Sequence, residues 1–269
     1  MKTSHLHPYW YLLAPSKQIK HKLRRFYLFG QPIVCFRDQQ GKCHAYLDYC
    51  PHRGVPLSDG RLVNNQIECG YHGWRFSSEG HCQYIPSLNC AQPFQLKSVS
   101  LQECDDHVFV SLHSQPQALP VQSIMTDYKH FYWCKSISST LIDLVENFLD
   151  ATHTPFIHRG LVRSPKNTQT INADVVRADK TVSITYTGEQ KQHGLISRLF
   201  EKGRSYSQAV FYAPNIAEIS YYNNTVMALK IRTYITPTQG DKFNLHVFFY
   251  MKHNKIWNQI KYILGYPFF

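Results

Sequence analysis

The chain lacks any long apolar run. Its N-terminal apolar stretch, Tyr9–Ala14, stops at Pro15, short of the roughly 7–15 residues of a signal-peptide core. Nowhere does it approach the ~18 uninterrupted apolar residues of a membrane-spanning helix. These two absences predict a cytoplasmic protein with no membrane span. Charge is sparse and lopsided: 17% of residues are charged, with 29 Lys and Arg against 18 Asp and Glu, a formal net charge of +11. The basic residues are scattered and no DNA- or RNA-reading motif accompanies them, so nucleic acid is not the expected partner. A net positive field suits docking of an acidic protein. There is no internal repeat and no low-complexity tract. The eight cysteines make no disulfide framework in a protein of this class and are expected to be reduced. Cys35, Cys43, Cys82, Cys90, Cys104 and Cys134 read as core or surface thiols, and only Cys50 and Cys69 have ligand spacing.

What is present is enough for a substantial core. The 269 residues are 43% hydrophobic and 14% aromatic, and a chain of this length divides naturally into two domains. Strands are expected at 9–13, 26–36, up to Cys50, and at 107–112, with turns at Asp38–Gly41 and Ser77–Gly80. Short strands at turn-punctuated spacing describe a small all-β domain. At 113–122 Pro116 and Pro120 punctuate a polar segment without periodicity, and we place a boundary there, giving domains 1–115 and 116–269. In the second, apolar Leu141, Leu144, Val145, Phe148 and Leu149 recur at helical spacing, predicting a helix over 140–153 capped by Thr140 or an earlier Ser and ended by Pro155. Alternation at Val182–Tyr186, Met227–Ile235 and Phe243–Met251 predicts an antiparallel sheet with one face covered. The fold class expected is α+β: an all-β N-terminal domain, then an antiparallel sheet with flanking helices, helix-grip-like.

The chemistry concentrates in 48–76. Cys50-x-His52 is followed, after sixteen residues, by Cys69-x-x-His72, two short clips able to close on one inorganic centre. Two thiolates and two imidazoles are the ligand set of a [2Fe–2S] cluster with Cys on one iron and His on the other. Zinc uses the same inventory, although its clips usually carry two to four residues between ligands and Cys50-x-His52 has one.

The flanks carry a family resemblance. Cys50-Pro51-His52-Arg53-Gly54, then Leu57-Ser58 and Gly60, then Cys69-Gly70-Tyr71-His72-Gly73-Trp74 resembles the cluster motif of the Rieske non-haem iron oxygenases. Respiratory Rieske proteins carry an additional Cys in each loop; here His52 is followed by RGVPLS and His72 by GWRF. Gly70 stands where the family usually has Pro. The resemblance makes Cys50, His52, Cys69 and His72 the ligands of a [2Fe–2S] cluster.

A second constellation lies in Asn147-x-x-Asp150-x-x-His153-x-x-x-x-His158. On a helix Asp150 and His153 share a face, and a break at Pro155 lets His158 return toward His153. Two imidazoles and a carboxylate leave open positions on iron for oxygen. The string resembles the mononuclear-iron motif of the same family, which implies His153 and His158 as ligands of Fe(II). It also implies an Asp150 that bridges the cluster of one subunit to the iron of the next in a ring, usually a homotrimer; Asn147 is a further site candidate. The third ligand in the family is an Asp on a late helix. After His158 this chain offers Asp174, Asp179, Glu189, Glu201, Glu218 and Asp241, none in a matching context. The apolar stripe Ile256, Trp257, Ile260, Ile263 and Leu264 reads as the entry to a further helix, so the expectation is a C-terminally incomplete catalytic domain. The resemblance implies the terminal oxygenase of a monooxygenase that hydroxylates, or O- or N-demethylates, a small organic molecule. Its electrons would come from NAD(P)H through a ferredoxin or flavin reductase. The alternative is a non-catalytic remnant retaining only the electron-transfer centre.

Overall fold

The computed structural model describes residues 6–119, 128–157, 170–188 and 204–252. The chain divides into two compact units, Met1–Gln122 with Thr236–Lys242 and Ser123–Ile235 with Phe243–Phe269.

The first unit is built from short strands: β1 (Tyr11–Pro15), β2 (Arg24–Leu28), β3 (Gln31–Arg37), β4 (Cys43–Leu47), β5 (Arg61–Val63), β6 (Gln66–Glu68), β7 (Arg75–Phe76), β8 (Cys82–Tyr84), β9 (Ser100–Cys104) and β10 (His107–Ser111). They form three small sheets, β1-β10-β9, β2-β3-β4 and β5-β6-β7-β8, and every pair is antiparallel. The single strand expected over 26–36 is instead a hairpin. Phe29 and Gly30 take φ of 51° and 76°, the left-handed pair that a two-residue turn between twisted strands requires. The turn expected at Asp38–Gly41 is present and closed by Gly41 N–H to Asp38 O (3.1 Å) and Lys42 N–H to Asp38 Oδ1 (2.7 Å). One apolar cluster, including Val34, Phe36, Ile67, Trp74 and Phe76, also contains Cys50 and Cys69, so the two thiols stand on packed core rather than on a free loop.

The second unit comprises β11 (Tyr128–Ser138), α1 (Leu141–Leu149), α2 (Thr154–Ile157), β12 (Asn172–Ala178), β13 (Thr181–Thr187), β14 (Tyr206–Tyr212), β15 (Ile216–Asn223), β16 (Val226–Pro237) and β17 (Lys242–Lys252). The strands make a seven-stranded sheet ordered β11-β17-β16-β15-β14-β13-β12. In the β15–β16 register Ile219 lies opposite Ile231 and Tyr221 opposite Leu229. These residues pack with Leu245, Val247 and Phe249 and with Leu141, Leu144, Val145 and Phe148 of α1. The alternation expected at 227–235 and 243–251 thus covers one face of the sheet with α1, as the α+β class predicts. Burying a side chain such as Leu144 contributes roughly 1.5–3 kcal/mol. The C-terminal stripe at 256–264 lies outside the described residues.

Thr140 caps α1 as expected, its Oγ1 accepting from Asp143 N–H at 3.1 Å, an interaction worth about 1 kcal/mol. The other end differs from expectation. The helix stops at Leu149, and Asp150 is extended, with φ −82° and ψ 118°. Its Oδ1 accepts both the backbone N–H and the hydroxyl of Thr152, each at 2.6 Å, a local turn that competes with helix continuation. Pro155 does not end a helix; it is the second residue of α2, where a missing N–H costs nothing.

Candidate metal centres

The two cluster loops follow one backbone plan. In the first, Cys50 N–H donates to Val55 O (2.8 Å) and Gly54 N–H returns to Cys50 O (2.8 Å). In the second, Cys69 N–H donates to Trp74 O (2.9 Å) and Gly73 N–H returns to Cys69 O (3.0 Å). Gly54 and Gly73 both turn back with positive φ, 70° and 68°, a conformation that a Cβ disfavours. Each loop therefore puts Cys first and Gly fifth, and the imidazole falls third in one loop and fourth in the other.

Both cysteines are 2% exposed and stand in one packed apolar cluster. Burial pushes the Cys50 thiol up to about 11; Cys69 adds to this, while the His52 and Arg53 N–H groups favour the thiolate. A bound metal deprotonates such thiols outright. The His52 and His72 rings lie 4.6 Å apart between centroids. Trp74 stacks on His52 at 4.6 Å with planes 5° apart, fixing the ring's orientation. Burial, then His72 and Arg53, lowers the His52 pKa, favouring the neutral form that ligates. His52 Nδ1 is buried without a hydrogen-bond partner, a lack that a metal bond would make good. The loops thus offer a thiol pair and an imidazole pair. That division suits two irons, each with two protein ligands. A zinc site instead needs all four groups on one ion.

The second constellation is partly assembled. Asp150 Oδ2 lies 3.4 Å from His153 Nδ1, brought there by the turn after α1 rather than by a shared helix face. Burial raises the Asp150 pKa, but the Thr152 hydroxyl and N–H together with His153 outweigh it and hold the carboxyl below its usual range. Thr154 Oγ1 bonds Ala151 O at 2.8 Å and Tyr186 OH bonds Leu149 O, so the segment before His153 is tied at several points. Asn147 is exposed on α1. His158 lies outside the described residues, as do Glu189 and Glu201. Of the remaining late carboxylates, Asp174, Asp179 and Asp241 are exposed. Glu218 is engaged by Arg232 (2.5 Å) and Lys230 (3.0 Å).

Comparison with known proteins matches residues 9–100 to the Rieske [2Fe-2S] domain family and residues 139–260 to the vanillate O-demethylase oxygenase C-terminal domain family. The chain belongs to the Rieske non-haem iron oxygenases. Among curated relatives of this family, the oxygenase component of dicamba O-demethylase from Stenotrophomonas maltophilia is 31% identical over 159 residues, covering 56% of this chain and 47% of that protein. Chlorophyllide a oxygenase from Chlamydomonas reinhardtii is 32% identical over 161 residues, covering 57% of this chain and 24% of that protein. The matched part is thus about half the length of such relatives, or less. The crystal structure of dicamba monooxygenase bound to dicamba superposes with a TM-score of 0.80 at 19% identity, covering 96% of this chain and 81% of that one. Pseudomonas putida CBB5 NdmA with caffeine gives 0.78 at 16% identity, covering 98% and 82%. These two likenesses establish the fold.

Within this Rieske domain the sequence reading missed the residues behind the ligands. Asp48, two positions before Cys50, has a side chain with 0% exposure and bonds Arg25 Nε at 2.7 Å. Glu68, directly before Cys69, bonds Arg61 and Arg75, both at 2.7 Å. An acidic residue just ahead of each cysteine in an otherwise basic chain was the available signal.

Proposed function

We propose that this chain is the oxygenase component of a Rieske-type monooxygenase acting on a small organic molecule. The observation that carries the proposal is the pair of equivalent loops presenting two buried thiols on one side and two imidazoles, one with an orphaned nitrogen, on the other. Cys50, Cys69, His52 and His72 hold the [2Fe–2S] cluster; His153 and His158 hold the mononuclear Fe(II). When bound, these groups supply single-electron transfer and O₂ activation, chemistry the protein orients rather than performs. The overall reaction consumes O₂, two electrons and two protons, converts R–H to R–OH and releases water. An O- or N-methyl group hydroxylated on carbon leaves as formaldehyde, which is the demethylating form of the same reaction.

The electrons come from NAD(P)H through a separate ferredoxin or flavin reductase, drawn by the net charge of +11. Asp150, held against His153, positions that ring and connects it to a cluster histidine of a neighbouring subunit in a homotrimer. Among the described residues no helix is long and apolar enough to cross a membrane, and we assign the protein to the cytoplasm. The test is iron and acid-labile sulfide quantification with EPR of the dithionite-reduced protein. The expected result is brown protein with two sulfides and at least the two cluster irons per chain and the signal of a mixed-valence Rieske centre. Colourless protein with stoichiometric zinc would overturn the proposal.

A further inference from the structure

Each cluster loop rises from a buried carboxylate held by arginine. At the first, Asp48 Oδ1 accepts from Ser58 N–H (2.8 Å), and Oδ2 accepts from Ser58 Oγ (2.6 Å) and Arg25 Nε (2.7 Å). Arg25 Nη2 continues to Asp59 Oδ1 at 2.8 Å. Asp48 enters the loop that carries Cys50 and His52, and Ser58 and Asp59 leave it, so this knot closes the loop at its base. At the second, Glu68 sits opposite Arg61 in the β5–β6 register and opposite Arg75 in β6–β7. Arg61 Nε donates to Oε1 and Arg75 Nε to Oε2, both at 2.7 Å. The three side chains form a row across three strands, tying the strand that enters the second loop to the strand that leaves it. They also tie it to β5, the continuation of the first loop.

Charge-assisted bonds of this length are the strong class, and here the carboxylates are buried while the guanidinium groups reach solvent. The balance of charge differs between the knots. Glu68 faces two guanidinium groups, leaving an excess of one positive charge, whereas Arg25 faces Asp48 and Asp59, leaving one negative charge.

We infer that Asp48 and Glu68 are positioning residues for the inorganic centre: their arginine knots set the spacing of the two ligand loops and fix the sign of the charge behind each. The inference rests on the cluster assignment above. It does not concern the ligands themselves but what holds them apart and sets the field they experience, since potentials of such centres respond to nearby charge and hydrogen bonding.

The test is the midpoint potential and EPR g-values of the cluster in the full chain for Glu68→Gln, Arg61→Gln and Asp48→Asn. Glu68→Gln removes a negative charge beside two arginines, so the reduced cluster is favoured and the potential rises. Arg61→Gln removes a positive charge from the same knot, so the potential falls. This shift is the smaller one because the Arg61 side chain is 74% exposed against 11% for Glu68. Asp48→Asn raises the potential, as Glu68→Gln does. Opposite signs from the two members of one ion pair cannot arise from loosened folding alone. Arg37→Gln serves as control: it breaks the Arg37–Glu103 pair (2.7 Å) elsewhere in the same unit and should leave potential and g-values at wild type. If Glu68→Gln does not fold, the fall in Arg61→Gln decides the matter. Wild-type potentials and g-values in the Glu68 and Arg61 variants at full cluster content overturn the inference. Wild-type protein without a Rieske signal overturns the cluster assignment instead.

Discussion

Gly60→Ala should be among the most damaging one-carbon changes in the cluster-binding unit, and for a reason of space rather than of backbone conformation. Gly60 has φ −87°, accessible to any residue. A Cβ built there would stand 2.1 Å from Glu68 O and 3.1 Å from both Glu68 C and Gly70 N. All three atoms are backbone, and they belong to the strand and loop that carry Cys69. Here the two cluster loops touch main chain to main chain. Relief requires the loops to part by roughly 1 Å, and overpacking of this kind costs about 1–3 kcal/mol. The Glu68 side chain is bonded to Arg61 and Arg75, so β6 cannot slide aside freely, and the upper value applies.

About 3 kcal/mol is roughly a 150-fold change in an equilibrium constant. For a unit between the 60–100-residue and 150–250-residue classes, at about 4 °C per kcal/mol, it lowers the melting temperature by roughly 12 °C. The assay is differential scanning calorimetry of the full chain, read with cluster absorbance. Gly70→Ala is the companion variant: its Cβ would meet Asp59 O at 3.0 Å and nothing else within 3.4 Å, which a shift of a few tenths of an ångström absorbs. Its cost should be about 1 kcal/mol or less. Equal melting temperatures for the two variants, or wild-type stability and cluster content in Gly60→Ala, would falsify the account of the loops as a tight backbone contact.

Asp150→Asn should leave cluster absorbance intact and slow reduction of the mononuclear iron by roughly 10–100-fold; single-turnover kinetics at the wild-type rate would remove the bridging role. A pH dependence follows from Asp38, whose Oδ2 lies 2.7 Å from His44 Nε2 with both side chains buried. Burial raises the Asp38 pKa, but His44 and the backbone N–H groups of Lys42 and Gln40 outweigh it and hold it below the usual value. A depressed folded pKa contributes stability that is complete above the unfolded value of about 3.9 and is lost as pH falls through the folded one. Asp38→Asn should therefore be destabilising near pH 6 and progressively less so below about pH 4. Melting temperatures measured across that range would show a constant difference if the reasoning is wrong.

The ligand loops were legible in the sequence because everything that defines them is local. In each loop the Cys, the His and the Gly fall within five residues, and the hydrogen bonds that close each loop span only four or five positions. The apolar stripe of α1 and the alternation of β16 and β17 were legible for the same reason. The misreadings occurred where a side chain competed with the backbone pattern. Helical spacing carries through Asp150 to His153, yet the Asp150 carboxylate captures Thr152 N–H and ends the helix early. Likewise Gly30 was the signal that 26–36 must break. The carboxylate knots were not legible, because Arg25 and Asp48 are 23 residues apart. Arg61, Glu68 and Arg75, each seven apart, align only once the register of β5, β6 and β7 is known.

The unequal spacing of the motif has a structural consequence of its own. Since both loops put Cys first and Gly fifth, the thiols occupy equivalent places, both within one packed cluster. The imidazoles do not occupy equivalent places, because His52 is third and His72 fourth, although their rings approach to 4.6 Å between centroids. One ring is therefore held and the other presented: His52 is half-buried under Trp74 with its Nδ1 out of solvent, whereas His72 is exposed beside the exposed Tyr71. A symmetric pair of clips, as in a zinc site, would gain nothing from this difference. A centre that must be gripped from one side and reached from the other requires it. In the proposed trimer, His72 would accordingly be the imidazole available to a neighbour's Asp150, and His52 the one fixed under Trp74.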